Sequence, residues 1–331
     1  LSGASRYPQH NGRLSQPHLI ERVAELLGPA RQWSATQLND YGVCGFRFFA
    51  GRLLALESLI EPEIGMDAAQ FGTVNHAILE QTYRYFQERE LPIVPGNREL
   101  ALEQLDRAAD EILADAPAKY GFRPSATWAE QQQVIRRRLR ALVAQDFDAS
   151  PLTKLTGTNV DRVPYRLEAT FGHFTGSDRA VPVSLDLGGE AGSLRLRGFI
   201  DRIDRVDDRL YIIDYKSGST KIDLKEMAEG RNFQMMVYLT AARALMDSSD
   251  EPLRVAGGLF WHIGSREASG ALDVSAGEPD EVAMARHHLA EFIPAARRGD
   301  FATHANRPQQ GRCVSYCEYS QLCRIGNQRR A

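Results

Sequence analysis

The chain has 331 residues, 43% of them hydrophobic and 25% charged, with a formal net charge of −3. That is enough to bury a sizeable core, as one large domain or two small ones, and it is ordinary for a soluble globular protein. No apolar run approaches the ~20 residues that span a bilayer, the N-terminus lacks a secretory layout, and the balance gives no global sign of nucleic-acid binding, although a local basic groove would suffice.

The first 33 residues read as a polar leader. With no initiating Met and a polar opening from Leu1 to Arg13, the chain is expected to be a fragment or processed piece, one end of a longer cytoplasmic polypeptide. From Ser34 to Leu56 the pattern is helical, with Ser34 as N-cap before an apolar and aromatic run. Phe71 to Glu90 forms a second helical pattern, closed by Pro92, Pro95 and Gly96. Glu99 to Ala114 and Thr127 to Phe147 are also helical, so the first half is helix-rich. The only dense basic cluster, Arg136, Arg137, Arg138 and Arg140, lies on the last of these; it is either a solvated face or a phosphate-contacting one.

The texture changes after Pro151. Pro164 to Phe171, Val181 to Leu187, Leu194 to Val206 and Arg209 to Lys216 are β-rich runs separated by turn residues. A long helix is predicted over Leu224 to Met246, a strand over Val255 to Ile263 and a helix over Glu278 to Arg298. The remainder reads as loop. This order predicts one domain from 34 to 331: a helical part (34–150), an α/β core (151–300) and a tail (301–331).

The chemistry concentrates in one hairpin. Val206 and Arg209 face each other across a two-residue turn at Asp207-Asp208, and counting back sets Asp201 directly opposite Asp214. Lys216, two residues beyond Asp214, shares its face. Two facing carboxylates repel, so a purely structural sheet has little reason to pair them. A divalent cation with hard oxygen ligands, Mg²⁺ or Mn²⁺, removes the conflict, lowers the pKa of a bound water and polarises a phosphate. Lys216 would orient that water and neutralise developing charge. The plain alternative is a solvated hairpin with Lys216 in a surface salt bridge. The apolar neighbours Ile200, Ile203, Ile212 and Ile213 argue for burial, where unpaired charge is costly.

Asp201 followed by Asp214-Tyr215-Lys216 resembles the PD-(D/E)xK nuclease signature in its RecB-like exonuclease version. Gly72-Thr-Val-Asn-His76 resembles the GxxxH helix motif of that version, and Gln234-Met-Met-Val-Tyr238 its QxxxY motif. Ser34 to Leu56, with Tyr41, Cys44 and Phe46, resembles the segment that opens the nuclease domain of AddB-type subunits and of CRISPR-associated iron–sulfur nucleases. Each motif is weak alone, but together they stand in the expected order from about Ser34 to Cys323. The resemblance implies a restriction-endonuclease-like α/β core, a mixed central sheet flanked by helices, with a helical N-terminal insertion and a Cys-rich C-terminal tail. It makes His76, Asp201 and Asp214 metal ligands with the Tyr215 backbone carbonyl, and Lys216 catalytic. Gln234 and Tyr238, one helical turn apart, would position DNA or the catalytic groups, and Glu168 on the preceding strand would add a carboxylate. Read without the resemblance, His76 is a core histidine and Gln234 and Tyr238 an ordinary amphipathic face.

Cys313, Cys317 and Cys323 crowd the tail, and Cys44 makes a fourth thiol. Four thiolates hold an iron–sulfur cluster or a structural zinc ion. The family precedent is a 4Fe–4S cluster that staples the N-terminal helix to the tail. Two departures weaken the match: three residues, not two, separate Cys313 from Cys317, and Gly45 stands where a proline often follows the first cysteine.

The resulting expectation is an exonuclease acting on single-stranded DNA ends. No GxxxxGK[ST] loop occurs, so ATP-driven unwinding must come from a helicase partner or another domain, as in an AddB-like subunit paired with an AddA-like helicase. The competing readings are a stand-alone CRISPR-associated iron–sulfur nuclease and a non-catalytic, metal-stapled DNA-binding module.

Overall fold

The structure, a computed structural model, describes residues 12–57, 65–172, 181–218, 220–249, 251–303, 313 and 317–323. Most of the polar opening therefore lies outside the described residues. The rest of the expected leader is ordered into the core. Helix α1 (Pro17–Leu26) starts on a proline at its first position, where a missing N–H costs nothing, and buries Val23, with Leu27 just beyond it. The short strand β1 (Gln32–Trp33) buries Trp33.

Helix α2 (Ala35–Val43) begins where expected, with Ser34 and Gln37 forming a reciprocal capping box. It does not run on to Leu56. The extended backbone of Cys44 separates it from α3 (Gly45–Phe48) and a π-helical turn, Phe49–Leu53. Three long helices follow: α4 (Ala68–Glu88), capped by Asp67 and Gln70, then α5 (Arg98–Tyr120) and α6 (Trp128–Asp148). Gly121, in the left-handed conformation, ends α5. Their apolar faces, including Val74, Ile78, Leu105, Ala109, Leu139 and Leu142, join one core cluster, and the short α7 (Thr153–Thr156) leads into the sheets.

Strands β2 (Val163–Phe171), β3 (Val183–Asp186), β4 (Ser193–Leu196), β5 (Gly198–Val206) and β6 (Arg209–Lys216) come next. The run from Leu194 to Val206, expected as one strand, is two strands in two sheets. Strand β4 pairs with β1 and β3, whereas β5 pairs with β2 and β6. The chain can pass between them because Gly198 lets β5 start directly against the Phe171 ring; a Cβ there would stand 2.7 Å from it.

The expected helix over Leu224 to Met246 is likewise two, α8 (Leu224–Ala228) and α9 (Gln234–Asp247). Gly230 sits at φ +69° between them, and the Asn232 side chain accepts the Gln234 amide, 3.0 Å away, to start α9. Strand β7 (Arg254–His262), an unforeseen β8 (Ala268–Asp273) and α10 (Asp280–Arg297) complete the core. The first four residues of β8, Ala-Ser-Gly-Ala, carry little β propensity, so position in the sheet makes it a strand. Among the described tail residues, Ser320–Cys323 forms a short turn, α11.

The five-stranded sheet has the order β2-β5-β6-β7-β8, with β6 and β7 parallel and every other pair antiparallel. A mixed central sheet was expected; the small β1-β4-β3 sheet adds to it. Helices α4, α5 and α6 cover one face, while α9, α10 and the small sheet close the other. The parallel β6-to-β7 connection is a crossover whose helix α9 runs back along the sheet. Its first residues therefore sit at the C-terminal end of β6, where Asp214 and Lys216 lie. No helix among the described residues is long and apolar enough to cross a membrane.

Candidate active site

The hairpin register follows the count from its turn, from Val206↔Arg209 to Arg202↔Ile213. There the ladder stops, one step short of the expected Asp201–Asp214 pair. Instead of facing Asp214, Asp201 uses Oδ2 to accept the Tyr215 amide at 2.8 Å. The repulsion that made the pairing suspicious is thereby reduced, and β6 passes to its other neighbour, with Asp214↔Phe260 and Lys216↔His262. Strand alternation also fails here: Ile200 packs in the α9-side core, yet Arg202 bonds Asp146 on the α6 side. Across from Asp201, Glu168 holds φ +45°, a conformation non-glycine residues rarely adopt. The distortion falls on the carboxylates singled out from the sequence.

The imidazole of His76, from α4, reaches this break. Its Nδ1 stands 3.5 Å from Asp201 Oδ1, and ligand atoms of His76, Glu168 and Asp201 all lie within 4.8 Å of one another. These three could hold a cation together. Burial alone would suppress the charge on His76, but Asp201, first through its hydrogen bond and then its charge, with Asp214 and Glu168, pushes it up to about 9. Glu168 is raised to about 7 by burial and then by Asp201. Without a cation the cluster thus holds protons in its place.

Asp214 stands beside that group and is buried. Its Oδ1 accepts Gln234 Nε2 at 3.1 Å. Lys216 Nζ lies 2.6 Å from its Oδ2, a close ion pair. Burial and then the Asp201 charge push Asp214 up to about 6. Lys216 Nζ also donates to Gln234 Oε1 at 2.7 Å, and Gln234 Nε2 donates to Tyr238 Oη at 2.7 Å. The two polar residues of α9 therefore brace Lys216 and Asp214 from the side. Tyr238 is pushed up by burial and by the charges of Asp214 and Asp201.

The non-cysteine residues assigned to the site from the sequence, His76, Glu168, Asp201, Asp214, Tyr215, Lys216, Gln234 and Tyr238, thus lie at this end of the sheet. What the sequence reading missed is a second cluster behind it. Arg202 chelates Asp204 through Nε and Nη2, each at 2.6 Å, and donates to Asp146 at 2.8 Å and to the Tyr215 hydroxyl at 3.0 Å. Arg162 bonds both Asp146 and Asp204, and Tyr83 Oη donates to Asp146 at 2.7 Å. The signal available was Arg202-Ile-Asp204, opposite charges two apart on a hairpin otherwise lined with isoleucine. Nothing local pointed to Asp146, Arg162 or Tyr83. Of the basic cluster on α6, Arg136 pairs with Asp110 and Arg140 with Asp106 of α5, which uses half of it internally.

All four cysteines are partly exposed. Cys44 occupies the α2–α3 junction. The tail meets the π-helical turn that follows α3 and the residues after it: Tyr319 donates to the Leu56 carbonyl at 3.2 Å, and its hydroxyl lies over Gly51. Tyr41, on α2, donates to the Asp300 carbonyl at 2.8 Å and contacts the rings of Phe48, Phe292 and Phe301.

Residues 32–324 match the family model of the PD-(D/E)XK nuclease superfamily. Among curated proteins, the chain is similar to B-type subunits of the ATP-dependent helicase/deoxyribonuclease. The one from Lachnoclostridium phytofermentans is 28% identical over 254 residues, covering 74% of this chain and 20% of that protein. The one from Symbiobacterium thermophilum is 28% identical over 305 residues, covering 88% and 23%. The one from Lysinibacillus sphaericus is 27% identical over 277 residues, covering 82% and 22%. The chain spans about a fifth of the length of these relatives.

Proposed function

The chain belongs to the PD-(D/E)XK nuclease superfamily, and on that premise we propose that it is a divalent-metal-dependent deoxyribonuclease. In this reading it is the nuclease end of an AddB-like subunit, working in the cytoplasm as an exonuclease on single-stranded ends that a helicase partner unwinds. The observation that carries the reading is the convergence of His76, Glu168 and Asp201 within 4.8 Å, beside the Asp214–Lys216 pair.

One imidazole and several carboxylates make a donor set suited to Mg²⁺ or Mn²⁺, and His76, Glu168 and Asp201 already converge within 4.8 Å of one another. His76, Asp201 and Asp214, with the Tyr215 carbonyl, would hold the ion, and Glu168 stands close enough to join them. A bound ion would supply an acidified water and a polarised phosphodiester. Lys216 neutralises charge that develops on the scissile phosphate and orients the attacking water. Gln234 keeps the Lys216 ammonium and the Asp214 carboxylate at a fixed separation, and Tyr238 fixes Gln234. Asp201, by holding the Tyr215 amide, keeps β5 and β6 apart where the ligands must converge.

We further propose that Cys44, Cys313, Cys317 and Cys323 carry a 4Fe–4S cluster, with zinc as the alternative occupant. Four soft thiol donors suit either, and the contact of Tyr319 with Gly51 and Leu56, a few residues beyond Cys44 in the chain, supports a shared site. An anaerobically purified sample is expected to be brown and to absorb near 400 nm; a colourless sample containing zinc would replace the cluster with the ion. The helicase/deoxyribonuclease naming of the relatives supports the repair-subunit reading over a stand-alone nuclease. The decisive test of the site compares Mg²⁺-dependent DNA cleavage by the wild type, Asp214→Ala and Lys216→Ala. Equal cleavage by all three overturns it.

A further inference from the structure

Gln234, which braces both Lys216 and Asp214, is the first residue of α9. The first amides of a helix have no partner within it, so something else must hold them. The Gln234 amide is accepted by the nearby Asn232 side chain. The amide of Phe233, one residue earlier and buried, is accepted by Asn39 Oδ1 at 2.7 Å, from 194 positions away in the chain.

Asn39 lies inside α2, where asparagine is a weak helix former because its side chain competes for backbone groups. Alanine would suit that helix better, so the carboxamide sits there at a local cost. The approach that it bridges is tight. A Cβ on Gly42 would stand 2.0 Å from the Gly230 carbonyl oxygen and 3.0 Å from Phe233 Cε2, so α2 meets the α8–α9 turn backbone to backbone. On the other side, Gly230 fits against the His288 ring of α10, and the Phe233 ring meets Phe292 edge-on at 6.3 Å. The start of α9 is thus held between α2 and α10. From there the bonds run on through Gln234 to Lys216 Nζ at 2.7 Å and Asp214 Oδ1 at 3.1 Å. Phe233 and Gln234 are adjacent, so a shift of one carries the other with it.

We propose that Asn39 is a positioning residue for DNA cleavage: it fixes the start of α9, and so the Gln234 side chain that holds Lys216 beside Asp214. The inference rests on the nuclease reading above and adds to that site a contribution from α2, a helix that supplies none of its ligands. Small misplacements of a group that orients the reacting centre are costly in rate even when they begin far from the chemistry.

The test uses the whole 331-residue chain, Mg²⁺ and an end-labelled single-stranded oligonucleotide, below the melting transition of every variant. Asn39→Ala is expected to lower kcat by about 10- to 100-fold, with KM little changed. Asn39→Asp keeps an acceptor at the positive start of α9 and should restore most of that loss. In a Gln234→Ala background Asn39 has nothing left to position, so adding Asn39→Ala should lower kcat by less than about twofold. An Asn39 that only stabilises the fold would lower the melting temperature without changing kcat, or would cost the same factor in both backgrounds; either result overturns the proposal. A second arm needs no turnover: amide hydrogen exchange over residues 233–238 should quicken in Asn39→Ala and slow again in Asn39→Asp. Unchanged exchange also overturns the proposal. Wild type that leaves DNA intact would sink the nuclease reading, and exchange alone would then decide whether Asn39 holds α9. Cleavage by the wild type and by Asn39→Ala at equal rates sinks the positioning role alone.

Discussion

On the helical side of the β5–β6 hairpin, Arg162 and Arg202 meet Asp146 and Asp204 in full burial, with Tyr83 and the Tyr215 hydroxyl completing their hydrogen bonds. At the open end of the same hairpin, His76, Glu168 and Asp201 converge beside the Asp214–Lys216 pair. The first cluster balances two guanidinium groups against two carboxylates and holds Asp146 below the usual carboxylate range despite burial, through Arg162 and Arg202. The second gathers three carboxylates around one lysine and one histidine, and three of its members have their proton affinities pushed up. One cluster is balanced as it stands; in the other, three carboxylates outnumber the single lysine, which suits the cation proposed for it. Satisfied buried networks specify a fold, whereas crowded like charges mark a site. The two are joined through Tyr215, whose amide serves Asp201 and whose hydroxyl serves Arg202.

The contrast is sharpest in variants that separate activity from stability. Asp214→Asn is expected to reduce DNA cleavage by about a thousandfold or more. In metal-free buffer near neutral pH it should melt no lower than the wild type, since it removes a repelled buried charge. A nuclease assay paired with thermal denaturation reads both. Loss of both together would mean that Asp214 belongs to the structural cluster. Arg202→Leu should behave in the opposite way. It leaves Asp146 and Asp204 buried with too little positive charge, a loss of about 3–5 kcal/mol that lowers the melting temperature by roughly 10 °C. Its cleavage at 20 °C should fall far less than that of Asp214→Asn.

The two clusters also differ in how much of each could be read from sequence. The carboxylates, Lys216, Gln234 and Tyr238 lie within two short segments, where strand and helix periodicity fix which side chains share a face. Glu168 and His76 came from strand and motif order. The break at Asp201 was not legible: counting from the turn gave the register, but the end of the ladder depends on Glu168 and on β7 arriving from elsewhere. The split of residues 194–206 between two sheets was hidden for a similar reason, since β propensity runs unbroken through it and only the fit of Gly198 against Phe171 divides it. The Arg202 network was least legible of all. Its members come from α4, α6, the residue before β2, β5 and β6, and its charged residues, spread from Asp146 to Asp204, carry no local signature of burial.

Titration offers a gentler way to set the clusters against each other. In the metal-free protein Asp214 rises from 3.8 to about 6, Glu168 from 4.5 to about 7 and His76 from 6.5 to about 9. Each is raised on folding, so each contributes stability that is full below its unfolded value and lost as pH rises through its folded value. From about pH 4 to pH 9 this end of the molecule therefore weakens in steps. Asp146 is lowered, so its contribution is present above the ordinary carboxylate value and lost only as pH falls below it. Chelated protein is expected to lose stability between pH 6 and pH 9, and Mn²⁺ to restore it by an amount that grows with pH, on the order of 5 °C at pH 9, because the ion displaces those protons. Melting curves with and without Mn²⁺ decide the point. A metal effect of equal size at both pH values would disconnect the ion from these groups.

The smallest expected effect isolates Glu168, which combines like-charge repulsion with a left-handed backbone at φ +45°. At pH 8 without metal its carboxylate is ionised against Asp201. Glu168→Gln removes the charge, keeps the shape, and should raise stability by about 1 kcal/mol, or 1–3 °C in melting temperature. At pH 5 the wild-type group already carries its proton, so the two proteins should melt together. Glu168→Gly instead relieves the backbone conformation and should raise stability at both pH values. With Mn²⁺ present the order at pH 8 should reverse, because the glutamine is the poorer ligand. If Glu168→Gln melted below the wild type at pH 8 without metal, the side chain would be satisfied where it stands. Glu168 would then belong to the same class as Asp146 and Asp204, leaving the cation to His76, Asp201 and Asp214.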